Sequence, residues 1–481
     1  MISLLLILVP LLAAAGAAAW PANRTRPWFL PAAGAVHAAL AIGLLIVPPP
    51  VAATDWVGFD AVARAILPAV SLLFLLCAAY GVPYLAVRGE RGNRVFVTSL
   101  LLLLGLMSLA LQARHLGLLW IALEGGTLAT VPLLHFNRSP RAYEATWKYL
   151  LVGGTGIALS LLGTFFLGYA SLTDQGGGNL LFSALAAQGP ALSPPWVRAG
   201  WILLLIGYGT KMGLAPMHSW KPDAYGEAPG MVGALMAGGL TTVAFAGLLR
   251  VQQVVALAGD GALAARTWMA LGLLSMLLAA LFLLGTRHFK RMLAYSSVEH
   301  MGILSIGAAL GGAGLWAALF HLWANGITKG ALFLSAGNMR RAVGDRELDG
   351  VTGLAAIVPW STRLFVAGVF AVTACPPFAP FFSELRILRA AFETGHGLVA
   401  AGFLCGLLLA FFGLTRLAFA VADGRPPAAL RTVAARLHES PGVLVPPLLL
   451  LGLSVWLGLF TPDLLREAWS AAVLSLAPTP P

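Results

Sequence analysis

Apolar runs about as long as a bilayer is thick recur along the whole chain, each closed by a short polar stretch. They show neither the strict alternation of a half-buried strand nor the one-sided stripe of a surface helix. They are apolar all round, as helices solvated by lipid are. A bilayer core needs about 20 such residues. Fourteen segments are long enough, near 2–20, 28–47, 60–87, 95–112, 116–135, 144–170, 198–220, 229–250, 267–286, 292–311, 314–339, 354–392, 398–420 and 442–461. A short amphipathic piece near 180–188 is expected at the surface. The first run lacks a basic lead, and Arg24 and Arg26 follow it, so it reads as a retained helix rather than a signal peptide. The longest loop, 171–197, is too short to hold a soluble domain.

Composition narrows the class. Hydrophobic types make up 59% of the 481 residues and charged types 10%, against roughly 25% charged in a soluble domain. Mean hydropathy is +0.85. This excludes disorder and argues against a soluble enzyme. The three cysteines, Cys77, Cys375 and Cys405, lie far apart and form no metal or iron–sulfur spacing. No Walker-type phosphate loop is present. No cofactor is expected in this chain. The net charge of +11 is spread a few residues per loop, which fits membrane topology and not a nucleic-acid face.

Lysine and arginine alternate between the two sets of loops. One set holds Arg24, Arg26, Arg88, Arg91, Arg94, Arg138, Arg141, Lys221, Arg287, Lys290, Arg291, Arg340, Arg341, Arg346, Arg425, Arg431 and Arg436, which is 17; the other holds Arg114, Arg198, Arg250, Arg266 and Arg466, which is 5. The positive-inside rule then places both termini on the non-cytoplasmic side.

Charge at bilayer depth is expensive and marks function by default. Glu124, Lys211, Lys329 and Glu384 each stand inside an apolar run. His321, Asn325 and Lys329 follow at i, i+4 and i+8, one face of a helix and about 12 Å of rise, which suits a hydrated proton relay. The alternative is that His321 and Asn325 merely bond to neighbouring backbone. Lys211 sits among Gly207, Gly209, Gly213 and Pro216, and Glu384 follows Pro376, Pro377 and Pro380. Interrupted helices at matching places in two halves point to an inverted repeat and its ion pathway. A movable Glu124 is suited to loading and unloading Lys211. At an effective dielectric near 20 a charge about 4 Å away is worth about 4 kcal/mol, enough to switch a proton site.

Glu299 and His300 lie in the helix after a basic loop. Lys290 either reaches inward or anchors at the head groups, with the anchor favoured. His218, seven residues after Lys211, either joins a relay or caps the interrupted helix. His37, His135 and His288 read as interfacial, and Lys148 as snorkelling.

These residues carry a resemblance. LLWIALEGGTL, YGTKMGLAPMHSWKPDAYGEAPGMVGALMAGGL, KRMLAYSSVEHMGIL, HLWANGITKGALFLSAGNM and PPFAPFFSELRIL occur in that order. The chain resembles the proton-translocating antiporter-type subunits of respiratory complex I, multisubunit sodium/proton antiporters and membrane-bound [NiFe] hydrogenases. The SSVEHMG stretch is most similar to the F-type subunit of hydrogenase-4-like complexes. The resemblance implies an all-α polytopic membrane protein of about fourteen helices with two inverted five-helix repeats. On that scheme residues 1–94 hold helices 1–3, 95–255 the first repeat, 256–422 the second, and 423–481 a cytoplasmic loop and the last helix. It implies a proton pathway through Glu124, Lys211, His218, Lys290, Glu299, His300, His321, Lys329 and Glu384. Two positions depart from the pattern: Ala237 stands where many relatives carry His or Lys, and Asn325 where some carry His.

The resulting expectation is a proton-translocating subunit in a bacterial or archaeal cytoplasmic membrane. It has no active site of its own. Its partners are further antiporter-like membrane subunits and a peripheral redox arm. A second expectation is a cation/proton antiporter module, or a subunit energising inorganic-carbon uptake, moving protons or Na+ without redox chemistry. A third is a haem-b carrier built on facing histidines.

Overall fold

The computed structural model describes residues 2–49, 53–89, 91–172, 177–344, 351–427 and 439–477. Arg346, Arg431 and Arg436, counted above among the basic loop residues, lie outside the described residues, as do residues 428–438 of the loop before the last expected span. Among the described residues β-pairing is limited to two isolated bridges, Val57–Ala113 and His115–Leu181.

Three helices open the chain: α1 (Ile2–Ala19), α2 (Phe29–Ile46) and α3 (Ala61–Ala86). Asp60 starts α3 by accepting from the Ala63 amide at 2.7 Å. Its carboxylate also takes Nε and Nη2 of Arg250 at 2.9–3.0 Å, so one residue caps a helix and ties it to a distant one. Next come α4 (Arg94–Gln112), α5 (Leu116–Leu134) and α6 (Pro140–Ala170). Ser139 caps α6 at the Ala142 amide, with Pro140 in the first turn where no amide is needed. The amphipathic piece is α7 (Phe182–Gln188).

The expected span at 198–220 is interrupted. Helix α8 (Pro194–Met212) ends at Gly213, whose φ of 74° reverses the chain, and α9 (Trp220–Glu227) follows. Helix α10 (Gly230–Leu235) runs through a π turn at 236–240 into α11 (Thr241–Val255). The loop expected after residue 250 is instead mostly helical: a second π turn at 256–260, kinked at Gly259 (φ 90°), leads into α12 (Gly261–Gly285). Then come α13 (Phe289–Leu310) and α14 (Gly312–Val343). The expected span at 354–392 is likewise two helices, α15 (Pro359–Val372) and α16 (Ala379–Glu393). The carboxylate of Glu439 caps α15 from outside, accepting from the Trp360 and Ser361 amides at 3.0 and 2.7 Å. Helix α17 (Gly397–Ala422) and α18 (Pro441–Leu459) follow. Last is α19 (Asp463–Leu476), which lies beyond the final expected span. Its Trp469 is fully buried against Trp316 and Phe320 of α14.

Nine helical stretches among the described residues are long and apolar enough to cross a membrane. One of them, 230–285, passes through the kink at Gly259. The helices outside that set include α8, α13, α14, α15 and α16, the interrupted and charge-bearing ones. Apolar side chains such as Leu12, Leu151, Leu398 and Leu404 are exposed, as befits a surface wetted by acyl chains.

Candidate functional site

The site is a file of charges inside these helices, and it begins at α5. Glu124 lies at its ninth residue, and its Oε2 is 3.5 Å from Nζ of Lys211. Lys211 closes the last turn of α8, where the free carbonyls favour a cation. It is 2% exposed and donates to Oγ1 of Thr127 at 2.7 Å. The space for its head exists because Gly153 faces it: a Cβ there would lie 3.2 Å from Nζ. Glu124 is the looser partner, its side chain 24% exposed. The ring of Tyr149 lies 6.0 Å from Nζ, and its hydroxyl is 2.8 Å from Thr130 Oγ1.

The second group is built on α13, α14 and α16. Lys329 is fully buried and donates to Oγ of Ser296 at 2.6 Å. Glu299 and Glu384 are the carboxylates whose charge reaches it. His321, Asn325 and Lys329 line one buried face of α14, as the spacing predicts. His321 does not satisfy itself on backbone: its Nε2 is 2.9 Å from Nδ1 of His300, and its Nδ1 2.9 Å from Oγ of Ser383. Glu384 Oε1 stands 3.9 Å from His300 Nδ1 and 4.0 Å from His321 Nδ1, and neither carboxylate oxygen has a hydrogen-bond partner. A carboxylate so placed is open to water or a proton. The ligand atoms of His300, His321 and Glu384 lie within 4.8 Å of one another, the one such grouping with metal-ligand character among the described residues. The two imidazoles bond directly to each other, which leaves no gap for a porphyrin between them.

Three expectations need correction. Lys290 is no head-group anchor: it is 1% exposed and donates to the carbonyls of Gly226 and Ala228 at 2.7 and 2.6 Å. These carbonyls end α9 and precede α10, where the helical ladder lapses and acceptors go unpaired. Lys221, counted as a loop cation, is fully buried on α9. His37 is not interfacial but fully buried in α2, 2.8 Å from Ser108 Oγ. His218 lies in the break between α8 and α9, 9% exposed, with its Nδ1 unpartnered. Lys148 is half exposed and pairs with Glu144 and Asp223 at 2.7 and 2.9 Å. Asp223 also takes Arg291 at 2.7 Å, so it pins α9 between α6 and α13. Ala237 is fully buried in the first π turn and offers no titratable group.

The arrangement can therefore pass protons between acceptors held at depth. It contains an acid–base pair at α5 and α8, a buried lysine bonded to Ser296 at α14, and an imidazole pair beside an unpartnered carboxylate.

Known proteins share both the pattern and the shape. Residues 113–410 match the family described as NADH:quinone oxidoreductase/Mrp antiporter, transmembrane. The chain is 37% identical over 326 residues to a hydrogenase-4 component F homolog of Methylacidiphilum infernorum, covering 66% of this chain and 68% of that one. It is 31% identical over 423 residues to NADH-quinone oxidoreductase subunit N of Desulforudis audaxviator, covering 85% and 82%. A chain of the Mrp complex from Dietzia sp. DQ12-45-1b superposes with a TM-score of 0.85 at 22% identity, covering 100% of this chain and 98% of that one. The chain is thus an antiporter-like multi-pass membrane protein, and it belongs to the NADH:quinone oxidoreductase/Mrp antiporter transmembrane family.

Proposed function

We propose that this chain translocates protons across a prokaryotic cytoplasmic membrane as a subunit of a redox-driven complex. The observation that carries the proposal is the pair of buried Lys211 with partly exposed Glu124 at 3.5 Å, set in the same molecule as buried Lys329 and Glu384. When Glu124 swings toward Lys211 it favours the ammonium; when it withdraws, the proton is released toward the second group. A charge moved by a few Å at low dielectric is worth several kcal/mol, so a redox partner that displaces Glu124 has leverage on the whole file. On this reading protons load at Lys211 from the cytoplasmic side, cross by Lys329, and leave near Glu384 by way of His321 and His300. Glu299 balances Lys329. Both termini face away from the cytoplasm, as the loop charges favour.

The likeness to a hydrogenase-4 component and to an NADH-quinone oxidoreductase subunit supports a complex containing further antiporter-like subunits and a peripheral redox arm. The test is Lys211→Ala in the complex purified through a tag on this chain. Mass spectrometry identifies the partners, and a pH-sensitive dye reports proton flux in vesicles energised by the partner's own redox reaction. The expected result is an assembled complex with flux reduced at least tenfold. Normal flux excludes Lys211 from the pathway. Flux that depends on a Na+ gradient and on no redox substrate supports the cation/proton antiporter alternative instead.

A further inference from the structure

Between the two groups the family pattern calls for a titratable residue, and Ala237 cannot supply one. Another side chain occupies the interval. Lys221 on α9 is fully buried, and its Nζ has a single long acceptor, the carbonyl of Ser297 at 3.4 Å. Its stem lies across Gly213, where a Cβ would come within 2.4 Å of Cδ and Cε. The Tyr225 ring is 5.7 Å from Nζ. No carboxylate pairs with Lys221 among the ion pairs of the described residues. A lysine needed only for packing would be better served by an apolar residue of the same length, since an unpaired ammonium at depth is costly.

Its neighbours place it on the route. Gly213, under its stem, follows Lys211 by two positions. Ser297, its acceptor, is adjacent to Ser296, the acceptor of Lys329. The charge of Lys329 acts on Lys221, and that of Lys221 acts on His218. His218, with Nδ1 unpartnered, lies in the break that separates Lys211 from Lys221.

We propose that Lys221 is the central proton-carrying site of this chain, standing in for the residue missing at Ala237. An N–H bond of the Lys211 ammonium breaks and one forms at the Lys221 amine through intervening water. The same exchange then runs from Lys221 to Lys329. Nothing is oxidised or reduced, and one proton is gained at each site as one is lost at the previous site. The inference rests on the proton-translocation reading above and adds a residue to it.

Three variants test it in the purified complex, each compared with Lys211→Ala. Lys221→Met keeps the stem over Gly213 and removes the amine. Lys221→Arg keeps a cation that does not release its proton. Lys221→His restores a group that does. Vesicle proton flux is expected to fall at least tenfold in the Met and Arg variants and to recover several-fold in the His variant, with equal recovery of assembled complex. Wild-type flux in Lys221→Met or Lys221→Arg overturns the proposal, since a structural cation is served as well by arginine. If Lys211→Ala blocks flux while Lys221→Met does not, only the role of Lys221 fails; if neither blocks it, the translocation reading itself fails. Should the Met variant not assemble, the contrast between Arg and His decides.

Discussion

Glu124 and Lys211 meet across 3.5 Å from helices far apart in sequence, and each is tolerated in the membrane because the other is there. Lys211 is the buried member, so removing Glu124 leaves an uncompensated charge at depth, at a cost below the ~3–5 kcal/mol of a fully buried pair because Glu124 is partly solvated. Lys329 has the same protection at longer range from Glu299 and Glu384, and Lys290 gains it from two backbone carbonyls. A different use of a single side chain occurs outside the membrane. His288 caps α13, its Nδ1 accepting from the Arg291 amide at 3.2 Å. Burial, then the charges of Lys290, Arg291 and Arg340, push its imidazole down to about 3. An unfolded histidine takes up its proton near 6.5, so between those values the unfolded chain binds one more proton than the folded one. Stability therefore falls as pH drops from about 6.5 toward 3, by up to about 1.4 kcal/mol per pH unit from this group. His288→Asn keeps a capping side chain and removes the titration. Its acid-induced loss of unfolding free energy between pH 6.5 and 5 is expected to be smaller by about 1–2 kcal/mol, measured by denaturant titration in detergent; an unchanged slope contradicts the assignment.

At the scale of the element, the break between α8 and α9 does most to place charge. Gly213 holds a φ of 74° there, and a Cβ at that position would overlap the Lys221 stem at 2.4 Å. Gly213→Ala combines backbone strain with displacement of a buried lysine. It is expected to destabilise the protein by about 1–3 kcal/mol, seen as a lower Tm of the solubilised complex, and to reduce proton flux with it. A Tm and flux both equal to wild type would show that the break has room to relax. The break itself was legible from Gly207, Gly209, Gly213 and Pro216, and so was Lys211, because one charge in an apolar run stands out. Lys221 and Lys290 were not legible as interior residues. They sit in HSWKPDAYGE and TRHFKRM, polar stretches where a charge looks like a loop, and only the folding-back of α9 against α13 buries them. The His300–His321 contact was within reach of simple counting. Helices α13 and α14 form a hairpin turned at Gly311, with His300 eleven residues before it and His321 ten after it, hence at nearly equal depth. The π turns at 236–240 and 256–260 were marked only by Gly238, Gly239 and Gly259, helix-weakening residues that inside an apolar run read as close-packing positions rather than as a change of winding.

For the whole molecule, helix order repeats in a way that explains why charge collects near its middle. The run α4, α5, α6, interrupted α8/α9, α10–α11 is followed by α12, α13, α14, interrupted α15/α16, α17. The first run closes onto the second through glycine: a Cβ on Gly230 would meet the Phe333 carbonyl at 2.4 Å, and one on Gly238 would lie 2.9 Å from Gly326 Cα. Backbones that approach this closely gain packing where lipid offers no hydrophobic drive, and they bring the first file beside the second. The direction of transport then depends on which way the assembly sits in the membrane. Exposed Arg287 belongs to the more basic set of loops, whereas Asp463 lies beside Arg466 of the less basic set. If the charge bias governs insertion, Arg287→Cys reacts with a membrane-impermeant maleimide only in inside-out vesicles, and Asp463→Cys only in intact spheroplasts. Cys405, which is exposed, and Cys375, which is partly exposed, are replaced by serine first so that the signal belongs to the new thiol. The reverse labelling pattern would invert the molecule, put the Lys211 side of the file on the outer face, and turn the proposed uptake side into the side of release. Labelling of both positions from one face would mean that the chain crosses the membrane an even number of times between them, contrary to the odd number that the alternating loop charges require.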